Sequence, residues 1–264
     1  YDVLEQNSTI ESVAPPDFKM HYDFNWNRTV AQVLPIIKEL AKSRIPGFIE
    51  DPLPWRDIAG WRLLREKCDI PFIMHVPQLG GGQEMLHGAA DVYMLGGCIG
   101  QTLTSGSAFA ASNIPVLLQI TGGTLTKALA VHLAAVLPTA TMHSVNIDDQ
   151  YEEDITTERF PVVEGASPVP ETPGLGFEVD EEALADLSSR EPSKAPNHVA
   201  ILHLKSGAKI YYPSLASVDV QKMTGREEGS IRGLKLELWD DDGSDEFKEI
   251  SERVQKDGPF VSTP

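Results

Sequence analysis

Two carboxylates carry the chemistry that the sequence offers most openly. Asp23 ends the run Met20-His21-Tyr22-Asp23, followed by Phe24-Asn25, and Glu50 sits in Gly47-Phe48-Ile49-Glu50-Asp51-Pro52. Hard oxygen donors at the ends of neighbouring strands suit Mg²⁺. They share a rim only if the two strands run parallel. The stretch Arg28 to Arg44 between them reads as one amphipathic helix. A strand, a helix and a second strand of this length make a right-handed crossover with parallel strands. Both carboxylates then emerge at the end of the sheet where α/β folds place their sites. His21 lies two residues before Asp23, so strand alternation turns it to the same side. A satisfied core histidine is favoured there over a catalytic one.

These side chains belong to a longer alternation. Strand signals fall at 18–24, 46–50, 71–76, 91–95, 115–119 and 140–144, and helical patterns at 28–43, 57–67, 83–88, 101–112 and 124–136. The strands are short, apolar and often preceded by Pro or Gly, as buried parallel strands are. Such a succession implies a parallel barrel or a doubly wound sheet. A closed barrel needs eight strands, and nothing beyond residue 144 continues the pattern. An acidic run (Asp148, Asp149, Glu152, Glu153, Asp154) follows, then a Pro/Gly-rich stretch from Pro161 to Gly176 and a short helix near Glu181 to Leu187. Ser188 to Asn197 reads as a linker. Residues 199–204, 208–212 and 234–239 read as antiparallel strands, with one helix at 245–254.

Composition narrows the function. Hydrophobic residues make up 41% of the 264, enough for a real core. A net charge of -17 argues against nucleic acid and against an anionic membrane surface. Cys68 and Cys98 lack metal-ligand spacing and suggest a reducing compartment. With no signal peptide and no bilayer-length apolar run, the expectation is a cytoplasmic protein, and the sequons at Asn7 and Asn27 are chance matches.

The motifs together resemble a known family. Asp-x-Asn ending one strand (Asp23, Asn25) and Ile-Glu-Asp-Pro ending the next (Ile49 to Pro52) are followed in order by Ile70-Pro71, Asp91 and Gly96-Gly97. Asn113-Ile114-Pro115, Pro138-Thr139-Ala140 and Pro173 to Asp180 complete the series. From about residue 17 to 187 the chain resembles the enolase superfamily, in its mandelate racemase and muconate lactonizing branch. The resemblance implies an α/β fold: a partial modified (β/α)7β barrel, entered near its third strand, without its first strands and capping domain. The expected division is a barrel domain over 1–187 and a linker with a small β-rich appendage over 188–264.

The same resemblance implies metal-assisted removal of a proton α to a carboxylate, of isomerase or sugar-acid dehydratase type. The dication, Mg²⁺ or another divalent ion, stabilises the developing enediolate as a Lewis acid. It further implies a small carboxylic-acid substrate and a homo-oligomer. Asp23 and Glu50 match the first two metal ligands. The third falls on Val76, which cannot bind metal; His75, one residue earlier, is the alternative donor, reaching the ion through a bulge or else lying at the barrel edge. Imidazole would tilt the site toward Mn²⁺, Fe²⁺ or Zn²⁺. Asp91 matches the acid of a catalytic Asp/His dyad, with a structural role weighed above a catalytic one. The His of that dyad falls on Gln119, which takes no proton at neutral pH. A substrate-polarising Glu falls on Ser144, beside His143. The competing reading is a barrel relative that has lost its chemistry and kept a binding or structural role.

Three weaker patterns complete the reading. Thr121-Gly122-Gly123-Thr124 before a helix could cradle an anion or simply start the helix. Gly80-Gly81-Gly82 could be a loop over a site mouth. Asp240, Asp242, Gly243 and Glu249 match part of a calcium loop, although an exposed acidic turn explains them more simply.

Overall fold

The computed structural model describes the chain except for residues 1, 27, 76, 78–80, 192–195 and 216–232. Val76, Gly80, Asn27 and part of the expected linker therefore lie outside the described residues. Two compact units are formed, one by 1–71 with 193–264 and the other by 72–192.

In the first unit, α1 (Val3–Val13) leads into β1 (Met20–Asp23), α2 (Val30–Leu40), β2 (Pro46–Glu50) and α3 (Ile58–Lys67). The pair β1–β2 is parallel, as the crossover argument requires, with Tyr22 opposite Ile49 and Asp23 opposite Glu50. Thr29 and Gln32 form a reciprocal capping box that starts α2. The helix buries Val33, Ile36, Ile37 and Leu40 at the i, i+3, i+4, i+7 spacing of one face. Trp61 of α3 is fully buried, and its indole N–H donates to the Pro54 carbonyl at 3.2 Å.

Sequence pattern does not announce α1, which carries Asn7, Ser8 and Thr9 in its middle. Tertiary contacts hold it instead. Tyr22 Oη donates to Asn7 Oδ1 at 2.5 Å from the outer face of β1. The Arg44 guanidinium, just before β2, donates to the carbonyls of Glu11, Ala14, Pro15 and Pro16. A cation on the last carbonyls of a helix satisfies orphan acceptors and complements the dipole. The loop into β1 is thereby tied to the loop into β2.

The same unit holds an antiparallel sheet in the order β8-β6-β7-β9, from β6 (His198–His203), β7 (Lys209–Tyr212), β8 (Lys235–Asp240) and β9 (Phe260–Ser262). The first three strands and α8 (Asp245–Asp257) agree with the sequence reading. Strand β9 was not foreseen: it is three residues long in a polar tail, held by Phe260 stacked on Tyr211 at 5.0 Å. The calcium-loop spacing is an acidic turn. Asp241 and Asp242 accept the backbone N–H groups of Gly243 and Ser244, and Ser244 caps α8.

In the second unit, β3 (Phe72–His75), α4 (Gly82–Leu86), β4 (Val92–Leu95), α5 (Ile99–Ala111), β5 (Val116–Leu118) and α6 (Thr124–Val136) repeat the β/α step. The pairs β3–β4 and β4–β5 are parallel. The strand expected at 140–144 does not form. The chain there is reduced to a single bridge between Gln119 and Val145. His143 and Ser144 are exposed coil, and the isolated bridge at Val145 sets no strand alternation for them. The short α7 (Glu181–Ser189) starts on an Asp180 cap.

Candidate metal centre

The ends of β1 and β2 are built as one piece. Paired residues of neighbouring strands lie about 4.8 Å apart and present their side chains to the same face, so register alone brings Asp23 and Glu50 together. Beyond the strands the loops stay bonded. Phe24 N–H donates to the Glu50 carbonyl at 3.0 Å and Trp26 N–H to the Asp51 carbonyl at 2.9 Å. Asn25, Trp26 and Asp51 all have positive φ, at 51°, 60° and 44°. Non-glycine residues reach that region readily only with local support, and Asn and Asp are the usual occupants. Here Asp23 Oδ1 supplies support by accepting the Asn25 N–H at 2.8 Å. This explains Asn two residues after Asp23: the turn needs a residue that tolerates the left-handed region.

Burial separates the two carboxylates. Asp23 is exposed, whereas Glu50 is 4% and Asp51 1% exposed. A buried carboxylate needs a partner. His21 Nε2 lies 2.6 Å from Glu50 Oε2, with the His21 ring tilted against Phe48 at 6.3 Å between centroids. His21 is thus a half-buried histidine in close contact with Glu50, the carboxylate that the sequence offers as a metal ligand. Residue spacing hinted at this: His21 pairs with Phe48 one step before Asp23 pairs with Glu50, so His21 and Glu50 are diagonal neighbours on one face.

The other expected site residues belong to the second unit. His75 ends β3, half-buried. Asp91 precedes β4, and its Oδ2 accepts the Phe72 N–H at 2.8 Å while its own N–H donates to the Phe72 carbonyl at 3.0 Å. It therefore fastens the start of β4 to the start of β3. The four residues of β4 separate it from that strand's C-terminal end, about 13 Å away. Gln119 follows β5, half-buried, its N–H donating to the Leu95 carbonyl at 2.9 Å. A Cβ added to Gly96 would meet the Gln119 carbonyl oxygen at 2.3 Å, so the ends of β4 and β5 meet through bare backbone. The first glycine of Gly96-Gly97 is explained by that close approach.

Thr121 to Thr124, open between an anion cradle and a plain helix start, lead into α6, and the carboxylate at that start is the chain's own. Asp154 Oδ2 accepts the Thr124 N–H at 2.7 Å at the start of α6, and Oδ1 accepts the Ile155 N–H at 2.8 Å. A side chain at Gly123 would strike this carboxylate. Burial pushes the Asp154 carboxyl up, but hydrogen bonds from Thr124 and Ile155 and the charge of Arg159 outweigh it and hold it below the ordinary value. Nearby, Lys127 Nζ pairs with Asp148 Oδ2 at 2.9 Å. The acidic run after residue 147 is thus partly bound to α6 rather than wholly solvated. Among the described residues no helix is long and apolar enough to cross a membrane.

Comparison with known proteins now has a fold and a rim to refer to. Residues 2–183 match the family described as enolase C-terminal domain-like. A D-gluconate dehydratase of Thermoproteus tenax is 30% identical over 186 residues, which is 67% of this chain and 36% of that protein. A mandelate racemase/muconate lactonizing family protein from Azoarcus superposes with a TM-score of 0.62 at 23% identity, over 73% of this chain and 56% of its own. An enolase from Bradyrhizobium, complexed with magnesium and mandelic acid, superposes with a TM-score of 0.56 at 27% identity, over 68% and 49%. The chain thus spans about a third of the curated relative's length and about half that of these solved chains. Its α/β fold is that of an incomplete barrel of this kind, with a separate antiparallel sheet.

Proposed function

Because the chain belongs to the family of enolase C-terminal domain-like proteins, we propose that Asp23 and Glu50 hold a divalent cation, Mg²⁺ by preference. The chemistry is abstraction of a proton α to the carboxylate of a small acid, in an isomerase or sugar-acid dehydratase. The observation that carries this reading is the parallel register that sets Asp23 opposite Glu50 at the strand ends. The donor set fits a hard cation: two carboxylates on one face, one exposed and one buried. The magnesium and mandelic acid of the Bradyrhizobium enolase, and the D-gluconate dehydratase named above, support the ion and the substrate class.

When bound, the ion supplies Lewis-acid stabilisation of charge developing on the substrate carboxylate. The chain's own residues do the rest. Asp23 and Glu50 hold and orient the ion, and the bonded turns after each strand keep both carboxylates from swinging apart. His75, at the end of β3 in the other unit, is the alternative third donor that the resemblance implies. Gln119 can donate an amide hydrogen bond but cannot serve as a base. Asp91 acts in this reading as a strand anchor.

A second reading, a barrel relative without chemistry, is favoured by Gln119 and by Ser144 in exposed coil. Titration with Mn²⁺ followed by calorimetry separates the two. One stoichiometric site that disappears in Asp23→Asn and in Glu50→Gln supports the metal-dependent reading. Diffuse binding unchanged by either substitution supports the silent relative. Self-association, which the resemblance implies, is read from sedimentation velocity on the same sample.

A further inference from the structure

Glu50 is a nearly buried carboxylate whose Oε2 lies 2.6 Å from His21 Nε2. We infer that His21 is a positioning residue for the metal centre: it fixes the Glu50 carboxylate in the orientation that receives the cation. The inference rests on the proposed metal site and goes beyond it, since His21 itself is no ligand.

Across the parallel pair, His21 stands opposite Phe48 and Asp23 opposite Glu50, all on one face. His21 therefore reaches diagonally up the sheet to Glu50, and the Phe48 ring at 6.3 Å limits where its imidazole can go. The histidine side chain is 19% exposed and that of Glu50 6%, so water competes little for the contact. A ring nitrogen against one oxygen limits how the Glu50 carboxylate can turn. Groups that support a ligand side chain from behind typically govern metal affinity by about 10–100-fold. Asp23 needs no such support. It is exposed, and its Oδ1 is held by the Asn25 N–H.

The test is Mn²⁺ affinity by calorimetry on the full chain, for the wild type and for His21→Leu, His21→Gln and His21→Asn. The Gln amide can reach Glu50 as the imidazole does, while that of Asn is too short. His21→Leu should bind Mn²⁺ about 10–100-fold more weakly. His21→Gln should stay within about threefold of wild type, and His21→Asn should follow Leu. Urea unfolding of each variant separates this pattern from damage to the fold, because a merely structural role would move affinity and stability together. Should Leu impair folding, the contrast between Gln and Asn still decides. Wild-type affinity in both Leu and Asn, or equal loss in Gln and Asn, overturns the positioning role and leaves the metal site standing. Absence of a stoichiometric site in the wild type would instead remove the premise, and the inference falls with it.

Discussion

The ends of β1 and β2 and the ends of β4 and β5 are built on the same β/α step and carry opposite contents. The first pair presents Asp23 and Glu50 in register, with His21 on the buried member and both exit turns bonded together. The second pair presents Gly96 against the Gln119 backbone, and the segment that should follow it as a strand is a single bridge. Charged groups are kept where a cation could be held. Backbone packing and an amide stand at the second rim. The contrast teaches that strand ends of one β/α succession can diverge independently, one pair presenting carboxylates and the other closing on bare backbone.

Four substitutions would break or sharpen the contrast. The largest effect is expected from Gly96→Val, since even a Cβ there would meet the Gln119 carbonyl at 2.3 Å. A loss of about 3 kcal/mol or more in urea unfolding is expected, and a neutral result would show that the second rim is not closed by close packing. Next is Asp91→Ala, which removes the acceptor of the Phe72 N–H. It should cost about 2 kcal/mol in stability while leaving Mn²⁺ affinity unchanged; a change in affinity would return Asp91 to the site.

Asp154→Asn should cost about 1 kcal/mol or more, because the uncharged amide has a single acceptor oxygen for the N–H groups of Thr124 and Ile155. The sign with pH follows from a folded value below the unfolded one, which is about 3.9. The wild-type advantage is fully present above the unfolded value and is lost as pH falls through the lower folded value. In thermal melts the difference between the two proteins should shrink as pH is lowered from 7. The smallest effect belongs to Gln119→His, which should alter neither stability by more than about 0.5 kcal/mol nor Mn²⁺ affinity. A gain in affinity would mean that the β5 end takes part in ion binding after all.

The first strand pair could be read from sequence because two periodicities coincide there. Short apolar runs ending in Asp23 and Glu50 flank one amphipathic helix, and a crossover of that length admits only parallel strands. Elements with weak local signals were hidden. α1 depends on Arg44 and Tyr22, neither adjacent in sequence, and β9 depends on Phe260 finding Tyr211. The segment 140–144 has a strand-like composition but gains only one bridge, so propensity there lost to the pairing available. At the rim, spacing identified Asp23 and Glu50 but not the link from His21 to Glu50. Alternation states which face a side chain takes, whereas a diagonal contact depends on register. Likewise the Gly122-Gly123 turn left open an anion cradle or a plain helix start without revealing that Asp154, 30 residues ahead of Thr124, provides the carboxylate there.

The central claim is that Asp23 and Glu50 together hold a divalent ion, and crystals soaked in Mn²⁺ test it most directly. The account predicts one anomalous peak at the shared end of β1 and β2, within about 2.3 Å of a carboxylate oxygen from each residue. A peak on surface acids alone, or carboxylates turned away from one another with no ion between them, would contradict it.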